Sequence, residues 1–381
     1  MPTTGSWDSI IIGGGLLGWS TAYRLVRAGA RVLVIDRADA GHATQAGAGI
    51  ISPGTSFRPL PAFFPFASAA VADYPRLLEE LAEDGETDTG YEVCGQLLIA
   101  RDEDEAARLP EALRLLTERR DQGMGNIGEL TRLDSAGARA LFPPLADIPG
   151  AIHVAGAARV DGRRLRGAIR QASERRGATV LTGDAVPVVE GDRVTGVRVD
   201  GHSLAAGSVV LAGGAWSGKL AEQLGFRLPV EPQRGQILHL DVPETSTGDW
   251  PIITGFHDHY LLAFRPCRVV MGGTRETGSG FDVRITAGGV REVLNIGLST
   301  APGLANATIA EIRVGLRPLS ADGLPILGRA PGFANLYLCT GHGPSGLQLG
   351  PFSGGVTARL ILGQDPGVDI TPFAAERFAN I

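Results

Sequence analysis

Cysteine is scarce. Cys94, Cys267 and Cys339 are the three in 381 residues, and they lie far apart. Three scattered thiols exclude a disulfide framework and a cysteine metal cage, and they fit a reducing, cytoplasmic setting. An excess of basic charge is also missing. Lys and Arg total 35 against 41 Asp and Glu, a formal net charge of −6. No positive field exists to hold nucleic acid. Long apolar runs are lacking too: no segment reaches the roughly 18 uninterrupted residues that a membrane span needs. Residues 10–22 have the apolar character of a leader, but they follow Asp8, lack a positive flank and are broken by Gly13, Gly14 and Gly15. Residues 62–72 (AFFPFASAAVA) are shorter and read as a buried or lid segment. There are no repeats and no low-complexity tracts. Glycine, by contrast, is abundant at 54 residues, which points to tight turns and close backbone approaches. The length suits two domains.

Continuous aliphatic runs predict buried strands at 9–12, 31–35 and 208–212. Residues 16–28 predict a helix ended by Gly29, so the chain opens on a βαβ unit of about 30 residues. Helical spacing recurs at 72–82, 104–120, 163–176, 290–299 and 352–362. Residues 186–190 and 194–199 predict a hairpin around Gly191-Asp192. Strands are also expected at 97–100, 179–181, 236–240, 260–264, 269–272 and 336–339. Parallel, nucleotide-type elements therefore occur at the start, middle and end of the chain, with antiparallel elements between them. The expected class is α/β with two interleaved domains. One is discontinuous, formed by residues 1–84, 141–222 and 311–381. The other is formed by residues 85–140 and 223–310.

Gly13, Gly15 and Gly18 fit G-x-G-x-x-G between a strand and a helix. The first glycine permits the tight turn, the second a close approach of phosphate, and the third the packing of helix on sheet. The helix N-terminus then offers free N–H groups to a pyrophosphate. Asp36 lies 18 residues beyond Gly18, where an acid accepts hydrogen bonds from a ribose. Such an acid serves NAD and FAD alike.

Four further segments bear on that choice: residues 44–52 (TQAGAGIIS), 209–217 (VVLAGGAWS), 314–328 (VGLRPLSADGLPILG) and 339–351 (CTGHGPSGLQLGP). Taken with 13–18 and in this order, they make the chain resemble the D-amino-acid oxidase superfamily of flavoenzymes, in particular its glycine oxidase, sarcosine oxidase and bacterial D-amino-acid dehydrogenase branch. The resemblance implies a fold of the p-hydroxybenzoate-hydroxylase type. It has a Rossmann-like FAD domain and an antiparallel-sheet substrate domain. It also implies a cofactor set. Gly13, Gly15, Leu16, Leu17 and Gly18 would serve the pyrophosphate, and Asp36 with Arg37 the adenosine side. Thr44, Gln45 and Ala46 would lie near pyrophosphate and flavin, and Val186 would meet adenine through its backbone. Gly213, Gly214 and Trp216 would flank the ribityl or adenine side. Gly341, His342, Gly343, Gly346, Leu347 and Gln348 would line the flavin ring, where N–H groups at a helix start stabilise charge on a reduced flavin. Relatives that tether FAD use a histidine in the 44–52 loop, where this chain has Gln45, or a cysteine near the 314–328 segment, where it has none. Noncovalent FAD is expected.

On the substrate side the resemblance gives Arg317 the role of gripping a carboxylate, which suits the bidentate guanidinium. The competing reading is a structural arginine paired with Asp322 or Glu311. His257, His259 and Tyr260 would stand above the flavin. If they lie on a strand, the two histidines share a face opposite Tyr260. His-x-His also suits a metal, but no further ligand cluster accompanies it. Arg275 and Glu276 read as pocket residues or as a salt bridge at a sheet edge. His42 and His153 read as structural.

The expected activity is oxidation of a small amino acid or amine: a D-amino acid, glycine, or an N-methyl or cyclic analogue. A C–H next to nitrogen gives hydride to flavin N5, and the imine hydrolyses. The acceptor is O2 or another oxidant. The alternatives are a proline-type dehydrogenase that passes electrons to a quinone or partner protein, and a non-catalytic FAD-binding subunit. An oligomer is compatible with all of them.

Overall fold

The computed structural model describes residues 6–379. Residues 1–5 and 380–381 of the expected cofactor domain lie outside the described residues. Two large sheets organise the chain, and a three-stranded sheet completes it.

Five parallel strands form the heart of the first sheet, in the spatial order Thr179–Thr182, Val32–Asp36, Trp7–Ile12, His202–Leu211 and Leu336–Thr340. The aliphatic run Ile10, Ile11 and Ile12 is buried on both faces, as a central parallel strand requires. One face is covered by the helices Leu16–Arg27, Gly162–Arg175, Phe63–Glu83 and Gly346–Ile361. The Ala185–Glu190 and Arg193–Val199 hairpin extends the first half of His202–Leu211 antiparallel, and Ile326–Arg329 closes the far edge. The strand order reverses at Trp7–Ile12. Sheets of this kind bind ligands beyond the carboxyl ends of the strands at that switch point.

The nine-stranded second sheet is antiparallel except where Ile252–Thr254 runs parallel to Gln96–Ala100. Its longest pairing joins Val230–Asp241 to Thr308–Ser320, from Val230 opposite Ser320 to Asp241 opposite Thr308. The Thr308–Ser320 strand also bridges to His42 and His342 in loops of the first sheet, so it forms a wall shared by both. Two strands of this sheet, Gly150–Val154 and Thr308–Ser320, come wholly or mainly from segments that the sequence allots to the cofactor domain.

Three elements differ from expectation. Of the two readings of residues 62–72 the buried one holds, with Phe63, Phe66, Ala67, Ala70 and Val71 in the core, and the lid does not: the segment begins a single helix, Phe63–Glu83. Pro65 sits in its first turn, where a missing N–H costs nothing. The last helix starts at Gly346 rather than at 352, and Gly350 and Pro351 conceal that start in the sequence. Thr308–Ser320 is a strand of 13 residues, although Gly315 and Pro318 interrupt its pattern.

Candidate FAD and substrate site

A cavity of about 690 Å³ runs from Asp36 at the switch point of the first sheet to Arg317 and Tyr260 on the second. Its two ends are built by different means.

At the first end the main chain does the work. Gly13 turns the strand at φ +113°, and a Cβ there would strike the carbonyl of Ala212. A Cβ on Gly18 would strike the carbonyl of Gly13, so Gly18 lies beneath the loop and lets the helix approach it. Gly15 caps the helix without a side chain, and the first turn holds no acid. Apart from those of Gly14 and Leu16, its N–H groups are therefore open to an anion. The Asp36 carboxylate accepts from the N–H of Gly14 and, at 2.6 Å, from that of Ala38. Thr44 Oγ1 accepts from the N–H of Leu16 at 3.2 Å. Arg166, which the sequence reading did not single out, braces the loop from behind: its Nε donates to the carbonyl of Gly14 at 2.6 Å.

A second uncapped helix start lies further along the cavity. The chain leaves Leu336–Thr340 through Gly341 (φ +74°) and Gly343 (φ +52°), makes a 3-10 turn and enters Gly346–Ile361, where Ser345 supplies no side-chain cap. His342 is a brace here rather than a surface for a ring. Its Nδ1 lies 2.9 Å from the carbonyl of Thr340 and its Nε2 2.8 Å from Ser353 Oγ. A carbonyl can only accept, so the neutral imidazole carries its proton on Nδ1. Burial pulls its pKa down to about 4.

Most of the cofactor residues expected from the sequence line this cavity. They include Gly13, Gly15, Leu16, Leu17, Asp36, Arg37, Thr44, Ala46, Gly213 and Trp216, and also His342, Gly343, Gly346, Leu347 and Gln348. Four do not. Gly18 and Gly341 act through packing and turning, because a Cβ on Gly341 would meet Ile326 at 2.9 Å. Gln45 is exposed, and its carbonyl accepts from Arg163. Val186 is an outward-facing strand residue, 42% exposed, and Asp184 and Ala185 line the cavity in its place. His42, read as structural, lies 3.7 Å from Asp36 inside the cavity wall.

At the far end side chains do the work. Arg317 extends across the neighbouring strand over Gly235, where a Cβ would collide with the guanidinium. Its Nη1 donates to the carbonyl of Thr274 at 2.9 Å, and the Tyr260 hydroxyl lies against it. Tyr260 in turn lies over Gly272, its register partner. Neither acid of the structural alternative is engaged with Arg317. Asp322 pairs with Arg377, and Glu311 pairs with Arg313 and Arg163. Among the described residues no carboxylate forms an ion pair with Arg317. Burial lowers its pKa, and the charge of Arg275 adds to that effect. Burial raises the pKa of Tyr260, against the pull of Arg317.

His257 and His259 precede the Tyr260–Phe264 strand in a bend, so no strand alternation governs them. Both line the cavity wall. His257 Nδ1 accepts from the N–H of His259 at 3.1 Å. Burial holds His257 at a pKa of about 4, so near neutral pH its proton sits on Nε2. His259 is also lowered by burial, and its Nε2 lies 3.4 Å from Glu292 Oε1 without hydrogen-bond geometry. Arg275 faces the cavity and pairs with Asp258 at 2.8 Å, whereas Glu276 pairs with Arg234. Arg58 and Gly235 line this end as well. Neither is marked by any local pattern, because the loop and strand pairings that bring them here are long-range.

A family profile described as "FAD dependent oxidoreductase" (DAO) matches residues 8–360. The chain belongs to this family. Its cofactor is FAD, and the site fits it: two glycine turns that a Cβ would obstruct, two uncapped helix starts and the Asp36 acceptor face one cavity. The chain is 42% identical over 365 residues to the uncharacterized oxidoreductase YurR of Bacillus subtilis (strain 168), covering 96% of this chain and 97% of that protein. It is 33% identical over 377 residues to a glycine oxidase of Pseudomonas putida, covering 96% and 98%. Among solved structures it is similar to the iminodiacetate oxidase IdaA of Chelativorans sp. BNC1, with a TM-score of 0.92, 40% identity, and coverage of 96% and 98%. Among the described residues no helix is long and apolar enough to cross a membrane.

Proposed function

We propose that this enzyme oxidises a small amine or amino acid that carries a carboxylate, breaking the C–H bond next to nitrogen, with Arg317 gripping the carboxylate. The observation that carries this reading is a guanidinium withdrawn from water, facing the cavity and bonded only to neutral groups. A buried cation without an anion is costly, and a substrate carboxylate supplies one. The glycine oxidase and iminodiacetate oxidase relatives act on amines of this kind by name.

Bound FAD would accept the hydride. Gly13, Gly15, Gly18, Asp36 and Thr44 would hold its pyrophosphate and ribose, and residues 343–348 its ring. The two electrons and hydrogen of the C–H bond leave as hydride, the neutral amine becomes an iminium, and water then cleaves that to a carbonyl compound and the protonated amine. Arg317 and the Tyr260 hydroxyl would orient the substrate so that this C–H bond faces the flavin. The carboxylates that line the cavity are already engaged, and Asp36 accepts from the N–H groups of Gly14 and Ala38. Asp258 is paired with Arg275, and Asp39 and Asp184 with Arg37. His257 presents a protonated Nε2, and the raised pKa of Tyr260 keeps it protonated. The substrate amine must therefore arrive neutral. Flavin reduction is expected to quicken as pH rises from 7 to 9, with no decline from Tyr260 in that range. A flat profile for the reductive half-reaction would count against this mechanism.

The test is anaerobic mixing of the yellow enzyme with glycine, sarcosine, iminodiacetate, D-amino acids and D- and L-proline, watching the visible flavin band. Bleaching by carboxylate-bearing amines supports the reading. A band that none of them bleaches supports the non-catalytic alternative. Admitting air then separates an oxidase from a dehydrogenase that uses another acceptor.

A further inference from the structure

Arg317 is not alone. Arg58 and Arg275 line the same end of the cavity, and the three cations share one carboxylate, Asp258, which is paired to Arg275. Arg58 follows the 3-10 turn Pro53–Thr55. Its guanidinium is largely withdrawn from water and has no hydrogen-bond or ion-pair partner among the described residues. Burial is the main cause of its lowered pKa, with Arg275 and Arg317 adding to it.

Elsewhere the chain gives its withdrawn arginines either acids or backbone carbonyls: Arg119 donates to the carbonyls of Gly54 and Ser56, and Arg166 to that of Gly14. Arg159, 1% exposed, meets Glu92 and the carbonyls of Gly248 and Trp250. Arg234, 8% exposed, meets Glu276 at 2.6 Å and Asp282 at 2.7 Å. Arg317 has one carbonyl and the Tyr260 hydroxyl but no acid, and Arg58 has neither carbonyl nor acid among the described residues; both face this cavity. A single substrate carboxylate on Arg317 leaves Arg58 uncompensated. The FAD phosphates do not account for it, because their cradle lies at the Gly13–Gly15 and Thr44 end. The charges that act on Arg58 are Arg275, Asp258 and Arg317, and Asp36 is not among them.

We propose that Arg58 is a second carboxylate-binding group, and that the substrate class is a small amine bearing two carboxylates, one held by Arg317 and the other by Arg58. Arg275, tethered by Asp258, strengthens the positive field around the second carboxylate without being its main contact. This rests on the reading of Arg317 given above.

The test uses the FAD-loaded enzyme and two anions that resemble substrates but carry an ether oxygen in place of nitrogen, so neither is an amine. Diglycolate has two carboxylates and methoxyacetate has one. Their dissociation constants are read from perturbation of the visible flavin band. Wild type is expected to bind diglycolate at least about 10-fold tighter than methoxyacetate. Arg58→Met is expected to weaken diglycolate about 10- to 100-fold, the range for loss of a charge-assisted contact, and methoxyacetate less than about 3-fold. Arg58→Lys, which keeps a charge, should recover part of the loss. Arg317→Met should weaken both anions.

Equal affinity for the two anions in wild type overturns the proposal, as does an Arg58→Met loss that falls equally on both. Failure of Arg58→Met to retain FAD, while Arg58→Lys retains it, would assign Arg58 to the cofactor and overturn it too. If methoxyacetate binds but Arg317→Met leaves both affinities unchanged, the Arg317 reading fails, and the proposal fails with it. The Arg58 result then shows separately whether that residue binds an anion. If neither anion binds wild type, both readings fall.

Discussion

The two ends of the cavity reach a charged ligand by opposite routes. At Gly13–Gly18 the protein offers main-chain N–H groups, and its side chains are already satisfied: Asp36 is bonded to Gly14 and Ala38, and Thr44 to Leu16. At Arg317 and Arg58 it offers side chains that form no ion pair with a carboxylate among the described residues. Main-chain donors are fixed by the fold, cost little when empty and recognise phosphate in any relative. Unpaired guanidinium groups are costly when empty, and they tie stability to the ligand they await. Generic cofactor binding thus falls to backbone, and substrate choice to side chains.

The largest expected effect breaks the backbone end. Gly18→Val places a side chain against the carbonyl of Gly13. It should cut FAD affinity by more than about 100-fold, because the helix can no longer approach the loop. The flavin absorbance of purified protein reads this directly.

Next comes the side-chain end. Arg317→Met should lower kcat/KM about 100- to 1000-fold, the cost of truncating one partner of a desolvated charge pair. FAD loading should stay intact. Loss of FAD together with activity would erase the distinction between the ends.

The third test concerns His342, the brace behind the second helix start. Its pKa is depressed from 6.5 to about 4 by burial. The unfolded chain therefore binds the proton more readily, and stability falls as pH drops from 6.5 towards 4. The His342 share of that loss should approach about 3 kcal/mol. His342→Asn should flatten the slope, as urea unfolding at pH 7 and pH 4.5 would reveal.

The smallest effects sharpen the contrast between paired and unpaired arginines. Arg159→Met strands two carbonyls and takes from Glu92 one of its two arginine partners, and should destabilise the apoprotein by about 2 kcal/mol, below the usual range because Glu92 keeps Arg265 and some water. Arg317→Met strands no acid. It should leave apoprotein stability within about 0.5 kcal/mol or raise it slightly. Thermal melts of the two apoproteins side by side decide this, and equal losses would mean that Arg317 is a structural residue.

The same contrast explains what could be read from sequence. The cofactor end was legible because its signals are local: Gly13, Gly15 and Gly18 lie within one turn between a strand and a helix, and Asp36 ends the next strand. What it left open was also local. Val186 faces outward while Ala185 lines the cavity, and the helix from Gly346 was hidden by Gly350 and Pro351. The substrate end depends on contacts between distant segments. Arg317 was singled out only because the 314–328 segment resembles known flavoenzymes. Arg58 stands in a loop with no periodicity, and its place beside Arg275 and Arg317 follows from the packing of that loop against the second sheet. Gly235 matters because the 230–241 and 308–320 strands pair in one register, which sequence spacing does not reveal. Alternation along a strand also misassigned His257 and His259, since the bend there lets a backbone N–H bind His257 Nδ1.

The most direct measurement compares sarcosine with its methyl ester. Both present the same C–N bonds, but the ester has no carboxylate. Rapid anaerobic mixing with wild type and Arg317→Met would give the rate of flavin bleaching for each, referred to the concentration of its neutral amine, because esterification lowers the amine pKa. The expected result is bleaching by the acid at least about 100-fold faster than by the ester in wild type, with the gap closing in the variant because the acid slows. Equal rates in wild type, or a gap that survives the loss of Arg317, would contradict the assignment of that arginine to the substrate carboxylate.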